Sequence, residues 1–255
     1  MATLVTFPFT APDGTVLTAY TFEGHSWVRT LGAGIVTIIG DKVVDAQLGA
    51  ASTHMLSTLL DDPDCTVQTD VINPGADFSL WGTFQLRARG NLIDHACYAA
   101  QVTTAPPSIP GVFLVRLLRV SAAGVGTAIA GAEVNTGIST HVGMSVGIRC
   151  TGSLIELLVN GAVVQSAVDA TLAGAGYVGF FTDGQPTSLP KRIDNFSVDV
   201  PDSVPTVCFP DTTTALADPD AVALTCTDSP TAGVATVLSD PDDMVLDDSC
   251  IPEAV

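Results

Sequence analysis

Basic side chains are scarce in this sequence, and their scarcity argues against direct binding to nucleic acid. Lys and Arg together number 9 among 255 residues, against 27 Asp and Glu, and the formal net charge is -18. A protein that binds a DNA or RNA backbone neutralises phosphates with clustered basic residues, and no basic run occurs here. An anionic membrane surface is disfavoured as a partner for the same reason.

Long apolar runs, a secretory leader and close cysteine pairs are also missing. No apolar run approaches 20 residues, so we expect no transmembrane helix and no membrane insertion. The start, MATLVTFPFTAPDG, lacks a basic segment followed by an apolar one, so we expect no signal peptide. The six cysteines include no CxxC pair, which disfavours a zinc site, and without a signal peptide most should begin reduced.

Glutamate is the rarer acid by a wide margin. The chain has four glutamates, and the other acidic residues are aspartates. Asp suits turns and caps whereas Glu suits helices, and Val, Thr and Gly are abundant. Apolar residues make up 47% of the chain, enough for a substantial core. The composition therefore predicts an all-β, turn-rich protein.

Short β-like runs recur along the first 200 residues, bounded by Gly, Pro, Asn or Asp at intervals near ten residues, which predicts a sandwich or a barrel. Asn160-Gly161 predicts the clearest hairpin, because this pair accepts the positive φ angles of a type I′ turn. Residues 45–60 could hold one short helical turn.

The run RIDNFSVDV predicts a half-buried strand with a bulge. Phe196 and Val198 share a face under strict alternation, whereas Ile193 would fall on the opposite face. A β-bulge at Asp194-Asn195 would restore Ile193 to the core side. The bulge would place the Asp194 carboxylate where it can accept backbone N–H bonds from the preceding loop.

Residues 201–255 differ in character from the rest. They carry ten aspartates and one glutamate without a single Lys or Arg, and a faint Leu-x-Asp-Pro-Asp repeat runs through them. One interpretation is a small β-hairpin appendage joined by a disulfide, either Cys226–Cys250 or Cys208–Cys226. The favoured interpretation is an extended acidic arm that becomes ordered on a partner, and a solvated tail is the third. We expect a boundary between domains 1–200 and 201–255.

Two stretches resemble the concanavalin A-like, laminin-G-like superfamily. The opening FTAPDGTVLTAYTFEGHSWVRTLG is similar to an aromatic strand, an Asp-Gly turn and a Trp-bearing strand of that superfamily. GYVGFF and RIDNFSVDV are similar to its final strands. The resemblance implies an antiparallel jelly-roll β-sandwich over residues 1–200. Such modules with an added arm are similar to virion proteins of tailed bacteriophages.

This resemblance implies a non-enzymatic structural or adhesion protein of a virion, a capsid decoration or minor tail component assembled in the host cytoplasm. The arm would dock on other virion proteins or on sister copies, with a homotrimer weakly favoured. The alternative is a carbohydrate-binding module for a host surface glycan, and a glycan hydrolase is the weaker alternative. Glycosidases that resemble laminarinases need a Glu-x-Asp-x-x-Glu strand, which is absent, so we expect no enzymatic activity.

The candidate site residues follow from these alternatives. Trp81, Tyr98 and Tyr177 are possible platforms for a sugar ring, although each could instead pack in the core. The resemblance brings three acids near the place of a structural Ca²⁺ in related sandwiches, namely Asp13, Glu23 and Asp194. Each acid also has a simpler interpretation; Asp13, for example, makes the Asp-Gly turn.

Overall fold

Two units make up the chain, Met1–Pro201 and Asp202–Val255. The computed structural model describes residues 2–45, 50–72, 82–104, 111–140, 142–183 and 192–201, and the short stretches 214–215, 222–225 and 234–237. The first unit is a sandwich of two antiparallel sheets, which confirms the predicted all-β jelly-roll fold. Among these residues, no helix is long and apolar enough to cross a membrane.

Sheet one has the strand order β16-β15-β14-β8-β18-β6-β5-β2, and β1 also pairs with β18. Its described strands are β1 (Ala2–Phe7), β2 (Thr15–Val16), β5 (Val36–Ile38), β6 (Val43–Asp45), β8 (Cys65–Ile72), β14 (Met144–Thr151), β15 (Leu154–Val159), β16 (Ala162–Val168) and β18 (Arg192–Val200).

Sheet two has the order β12-β11-β10-β9-β17-β7-β4-β3, and β13 also pairs with β11. Its described strands are β3 (Thr21–Phe22), β4 (His25–Gly32), β7 (Ser52–Leu56), β9 (Phe84–Gly90), β10 (Cys97–Thr104), β11 (Val112–Val120), β12 (Gly126–Ala128), β13 (Val134–Ser139) and β17 (Tyr177–Thr182). A 3₁₀ turn, η1 (Leu17–Ala19), lies between β2 and β3.

An aromatic cluster fills part of the core between the sheets. Trp27 of β4 is 2% exposed. Its ring centroid lies 4.9 Å from that of Phe196, 5.2 Å from that of Phe7 and 5.3 Å from that of Phe180. These partners come from β18, β1 and β17, so one indole joins strands of both sheets. Trp27 therefore belongs to the frame of the sandwich.

The predicted bulge in β18 is confirmed. The register against β8 shifts between Asp194 and Ser197, and Asn195 has a φ of 49°. Ile193 and Phe196 consequently both lie in the core. The Asp194 carboxylate accepts a 2.9 Å hydrogen bond from the following backbone N–H of Asn195. The Asp194 side chain thus caps the backbone within the bulge itself. The predicted bonds from the preceding loop fall on residues 184–191, which lie outside the described residues.

The hairpin at Asn160-Gly161 is confirmed as well, because β15 and β16 pair as neighbours and both turn residues have positive φ, 49° and 78°. The helical turn predicted within residues 45–60 is wrong for the described part of that range. Ser52–Leu56 forms β7, and all five of its residues are buried. A strand covered on both faces loses the polar alternation that would reveal it.

One polar side chain crosses the sandwich. Gln165 of β16 is 7% exposed, and a bulge in the β15–β16 pairing sets it opposite the core residue Leu157. Its Oε1 accepts a 2.6 Å hydrogen bond from the backbone N–H of Leu117 in β11. Its Nε2 donates to the carbonyl oxygens of Ala132 at 2.6 Å and Ala130 at 3.3 Å. Gln165 therefore ties sheet one to the backbone of sheet two.

Three short strands are described in the second unit, β19 (Thr214–Ala215), β20 (Val222–Thr225) and β21 (Val234–Val237), and they pair antiparallel in that order. These pairings correspond to the hairpin interpretation of the acidic segment. The extended arm stays a prediction for the residues around them. Three cysteines considered for its disulfides, Cys208, Cys226 and Cys250, lie outside the described residues.

Candidate functional site

The face of sheet two that is turned away from the core carries a row of five directly opposed side chains. From β11 to β7 they are Arg116, Gln101, Gln85, Phe181 and Thr53, one from each strand. We call them the outer row. The residues that alternate with them along the strands, such as Leu86 and Val102, lie in the core. With strands about 4.8 Å apart, the row extends for roughly 19 Å.

The outer row combines an aromatic ring with amide and guanidinium groups. Arg116, Gln101, Gln85 and Phe181 are each half-buried, so their side chains are partly open to solvent. Thr53 is 2% exposed and closes the row on β7. This combination provides an apolar surface beside hydrogen-bond donors, the composition that small-molecule sites use.

Arg87 lies on the same face beside the row and contacts three of its members. It is 4% exposed and follows Gln85 by two positions on β9, so it shares the same face. Its Nη2 donates to Gln85 Oε1 at 2.9 Å, its Nη1 donates to Thr53 Oγ1 at 3.3 Å, and its guanidinium carbon lies 5.1 Å from the Phe181 ring centroid. Burial lowers the pKa of Arg87, yet an arginine stays charged.

Two guanidinium atoms on this face are left without partners. The Nε atoms of Arg87 and Arg116 are buried, and neither has a hydrogen-bond partner within the described residues. No ion pair involving either arginine is found in that part of the chain. An unpaired buried donor on a charged group is costly, and both of these arginines lie on the face of sheet two that carries the outer row.

Two carboxylates flank the row. Glu133, just before β13, accepts a 2.8 Å hydrogen bond from the Thr103 hydroxyl. Asp183, two positions beyond Phe181, accepts a 2.6 Å hydrogen bond from the backbone N–H of Thr83. Each of the two carboxylates therefore accepts a hydrogen bond at one end of the row.

Tyr98, one of the predicted sugar platforms, lies on the other side of sheet two and is 0% exposed. Its hydroxyl is directed at the carbonyl oxygen of Asp169 at 2.8 Å and at Asp169 Oδ1 at 3.0 Å, and it accepts from the Leu172 N–H at 3.1 Å. Burial raises the pKa of this phenol. A ring enclosed in the core offers no face to a sugar, so Tyr98 is corrected to a structural role.

The same network holds the segment after β16 against sheet two. Arg119 Nη1 donates to Asp169 Oδ2 at 2.8 Å and to the Thr171 hydroxyl at 2.7 Å. Burial raises the pKa of Asp169, but the hydrogen bonds from Thr171 and Tyr98 and the charge of Arg119 outweigh it, and the pKa is held below its usual value. The charged form of the Asp169 carboxylate is therefore the form that stabilises the contact between this segment and sheet two.

This depressed pKa predicts how Asp169→Asn responds to pH. The stabilisation by a carboxylate of lowered pKa is fully present above the unfolded-state value, 3.8, and is lost as pH falls through the folded-state value. We expect Asp169→Asn to lower the free energy of unfolding by about 1–2 kcal/mol at neutral pH, and the deficit to shrink below about pH 4. Urea unfolding of both proteins at several pH values measures this.

Asp199→Asn is the matched control. Asp199 is a half-buried aspartate on β18 that accepts a hydrogen bond from the Thr3 hydroxyl at 2.7 Å. Its substitution should change stability by less than about 0.5 kcal/mol. A deficit of Asp169→Asn that is equal at neutral and acid pH would contradict the assigned role of the charge.

The other predicted platforms are placed differently. Tyr177 is half-buried at the start of β17, opposite Gly90 and at the far end of the strand from Phe181. Trp81 lies outside the described residues. Sugar binding by either residue stays a prediction, and neither belongs to the outer row.

The three predicted calcium ligands, Asp13, Glu23 and Asp194, are placed as follows. Asp13 accepts a 2.8 Å hydrogen bond from the backbone N–H of Gly40, and Asp194 forms an ion pair with Lys42. Glu23 is exposed in the β3–β4 turn with a φ of 49°. Across the described ranges, no group of three or more His, Cys, Asp or Glu side chains is arranged to hold a metal ion. A structural Ca²⁺ thus stays a prediction of the resemblance.

No family model matches the chain, and no curated protein sequence matches it. Among solved structures, the carbohydrate-binding module CBM66 from Bacillus subtilis is 18% identical with a TM-score of 0.52, covering 68% of this chain and 95% of that module. A Bacillus subtilis protein of unknown function with a galectin-like fold is 12% identical with a TM-score of 0.51, covering 78% and 96%.

The potassium-bound carbohydrate recognition domain of Emp46p is 10% identical with a TM-score of 0.52, covering 76% of this chain and 95% of that domain. At these identities the similarity shows the fold alone. The chain has a jelly-roll sandwich fold, as its opening and closing strands predicted.

Proposed function

We propose that the protein binds carbohydrate on the outer row of sheet two. The observation that carries this proposal is Phe181, a half-buried aromatic ring set beside Gln85 and contacted by Arg87. A sugar ring has an apolar face that packs on an aromatic side chain, and hydroxyls that need hydrogen-bond partners around it. Phe181 supplies the first requirement, and Gln85, Gln101 and Arg116 supply the second.

Preorganisation supports the same proposal. Gln85 and Phe181 are both held by the Arg87 guanidinium, so binding costs them less side-chain entropy than it would cost free side chains. The similar folds include a carbohydrate-binding module and a carbohydrate recognition domain, which favours this function over a purely structural one. The proposed function is binding without catalysis, since the chain lacks the Glu-x-Asp-x-x-Glu strand that laminarinase-like glycosidases need.

Phe181→Ala should weaken glycan binding by roughly 10–100-fold, because the ring is the central apolar anchor of the row. Gln101→Ala should weaken it less, by a few-fold, through loss of a hydrogen bond. The measurement is a glycan array screen of the full chain, followed by titration calorimetry of the variants with the best glycan. Thermal unfolding of each variant separates lost binding from lost folding.

Gln68→Ala is the matched control for Gln101→Ala. Gln68 is a half-buried glutamine on β8, in the middle of sheet one. Its substitution should leave glycan affinity unchanged. The proposal fails if the array shows no binding, or if Phe181→Ala binds as tightly as the unaltered chain while remaining folded.

The virion setting remains a second proposal, carried by the sequence resemblance. A sandwich with a glycan-binding face and an acidic second unit would suit display on a particle, as a decoration or minor tail protein. Copurification of the chain with a virus particle, before and after removal of residues 202–255, would test both the setting and docking by the arm.

A further inference from the structure

The positive charge of Arg87, beside the outer row, has no anionic partner among the described residues. Arg87 is 4% exposed, and its hydrogen-bond partners among the described residues are neutral groups, Thr53 and Gln85. Its Nε, like that of Arg116, is buried without a partner in that part of the chain. A buried cation that has no anionic partner is unfavourable, and a ligand anion placed above it would relieve that cost.

We propose that the carbohydrate bound at the outer row carries a carboxylate, as a uronic or sialic acid does, and that Arg116 and Gln85 receive this group. The inference rests on the proposed function and narrows its ligand class. Arg116 contributes a charge-assisted donor, and the Phe181 ring receives the apolar face of the same sugar or of its neighbour.

The hydrogen bonds of Gln85 explain why it acts as a donor. Its Oε1 already accepts from Arg87 Nη2 at 2.9 Å, which leaves the Nε2 group to donate outward. Gln85 and Arg116 face each other across β10, two strand spacings or about 10 Å apart. Gln101 lies between them, so a carboxylate placed above Gln101 is flanked by Gln85 on one side and by Arg116 on the other. A carboxylate, which accepts through two oxygens, fits between two such donors.

The surrounding charge limits the ligand to one isolated carboxylate. Glu133 and Asp183 flank the row, and the whole chain has a formal net charge of -18. A polyanion laid across this surface would bring further charges within a Debye length, about 8 Å at physiological salt, of protein carboxylates. A single acidic sugar meets that repulsion with one charge only, whereas each further charge of a polyanion adds to it. The site therefore selects oligosaccharides with one acidic residue over polyuronates.

The test compares matched acidic and neutral glycans on the full chain. The probes are sialyllactose and lactose, a glucuronate-capped xylo-oligosaccharide and its uncapped form, and polygalacturonate as the polyanion. We expect each singly acidic member to bind at least about tenfold more tightly than its neutral partner. The preference should fall to about twofold in Arg116→Gln, and polygalacturonate should bind more weakly than the singly acidic probes.

Arg149→Gln is the control for lost charge, because Arg149 lies on β14 of sheet one and forms an ion pair with Glu156. It should leave the acid preference intact. Equal binding of acidic and neutral partners would overturn this inference and leave the proposed function standing. An acid preference that survives Arg116→Gln would also overturn it. Absence of binding to every glycan would overturn the proposed function itself, and the inference with it.

Discussion

Trp27→Ala should lower the free energy of unfolding by about 3–5 kcal/mol, the usual cost of truncating a large buried aromatic side chain. Trp27 contacts rings from three other strands, Phe7, Phe180 and Phe196, within 5.3 Å between centroids. The vacated volume would lie among strands of both sheets, where close packing prevents the neighbours from collapsing fully into it. A domain of ordinary stability would lose a large share of its free energy of unfolding.

Trp27→Phe separates packing from hydrogen bonding. The Trp27 indole nitrogen has no hydrogen-bond partner among the described residues, so Phe removes ring volume without breaking a bond. Its loss should be clearly smaller than that of Ala. Urea unfolding with a common m value measures both variants. A change below about 1 kcal/mol for Trp27→Ala would contradict the central position of this residue in the core.

The frame of the sandwich was predictable because its signals are local. The β18 bulge follows from the three-residue step between Ile193 and Phe196, and the β15–β16 hairpin follows from Asn160-Gly161. Each depends on residues adjacent in sequence, where alternation and turn preferences act. β7 was missed because its five residues are all buried, which removes the alternation by which a half-exposed strand is recognised.

The candidate site was not predictable in the same way. Its residues lie at positions 53, 85, 101, 116 and 181, on five strands, and only the strand register places them side by side. No motif connects them along the chain. The available signal was weak: Gln85 and Arg87 alternate with apolar residues in FQLRAR, which points both side chains away from the core. The sequence of one strand does not show which residues of the neighbouring strands lie opposite its own residues.

Tyr98 shows the converse difficulty. An aromatic residue in a strand serves equally well as an exposed platform or as a core residue, and sequence alone does not distinguish the two. The distinction comes from Asp169, which lies 71 positions away and binds the Tyr98 hydroxyl. Such long-range pairs decide which aromatic side chains are enclosed.

Gln165→Leu should destabilise the sandwich by about 1–3 kcal/mol, although leucine is of similar size. The substitution leaves the buried N–H of Leu117 without its 2.6 Å acceptor and removes the donor for the carbonyl oxygens of Ala130 and Ala132. Each buried group left unpaired costs about 1–3 kcal/mol. Water can reach Ala132, which is exposed, so the cost falls mainly on the Leu117 N–H. Urea unfolding measures the loss.

Gln165→Glu separates the hydrogen bond that Gln165 accepts from those that it donates. A carboxylate still accepts from Leu117, but it places negative charge against two carbonyl oxygens inside the sandwich, so its pKa should rise above the unfolded value of about 4.3. The penalty should be small below that value and grow as pH rises through the folded-state pKa. Stability that increases on acidification would show that the Ala130 and Ala132 contacts require a donor. A pH-independent loss, or none, would instead mean that the Leu117 contact alone joins Gln165 to sheet two.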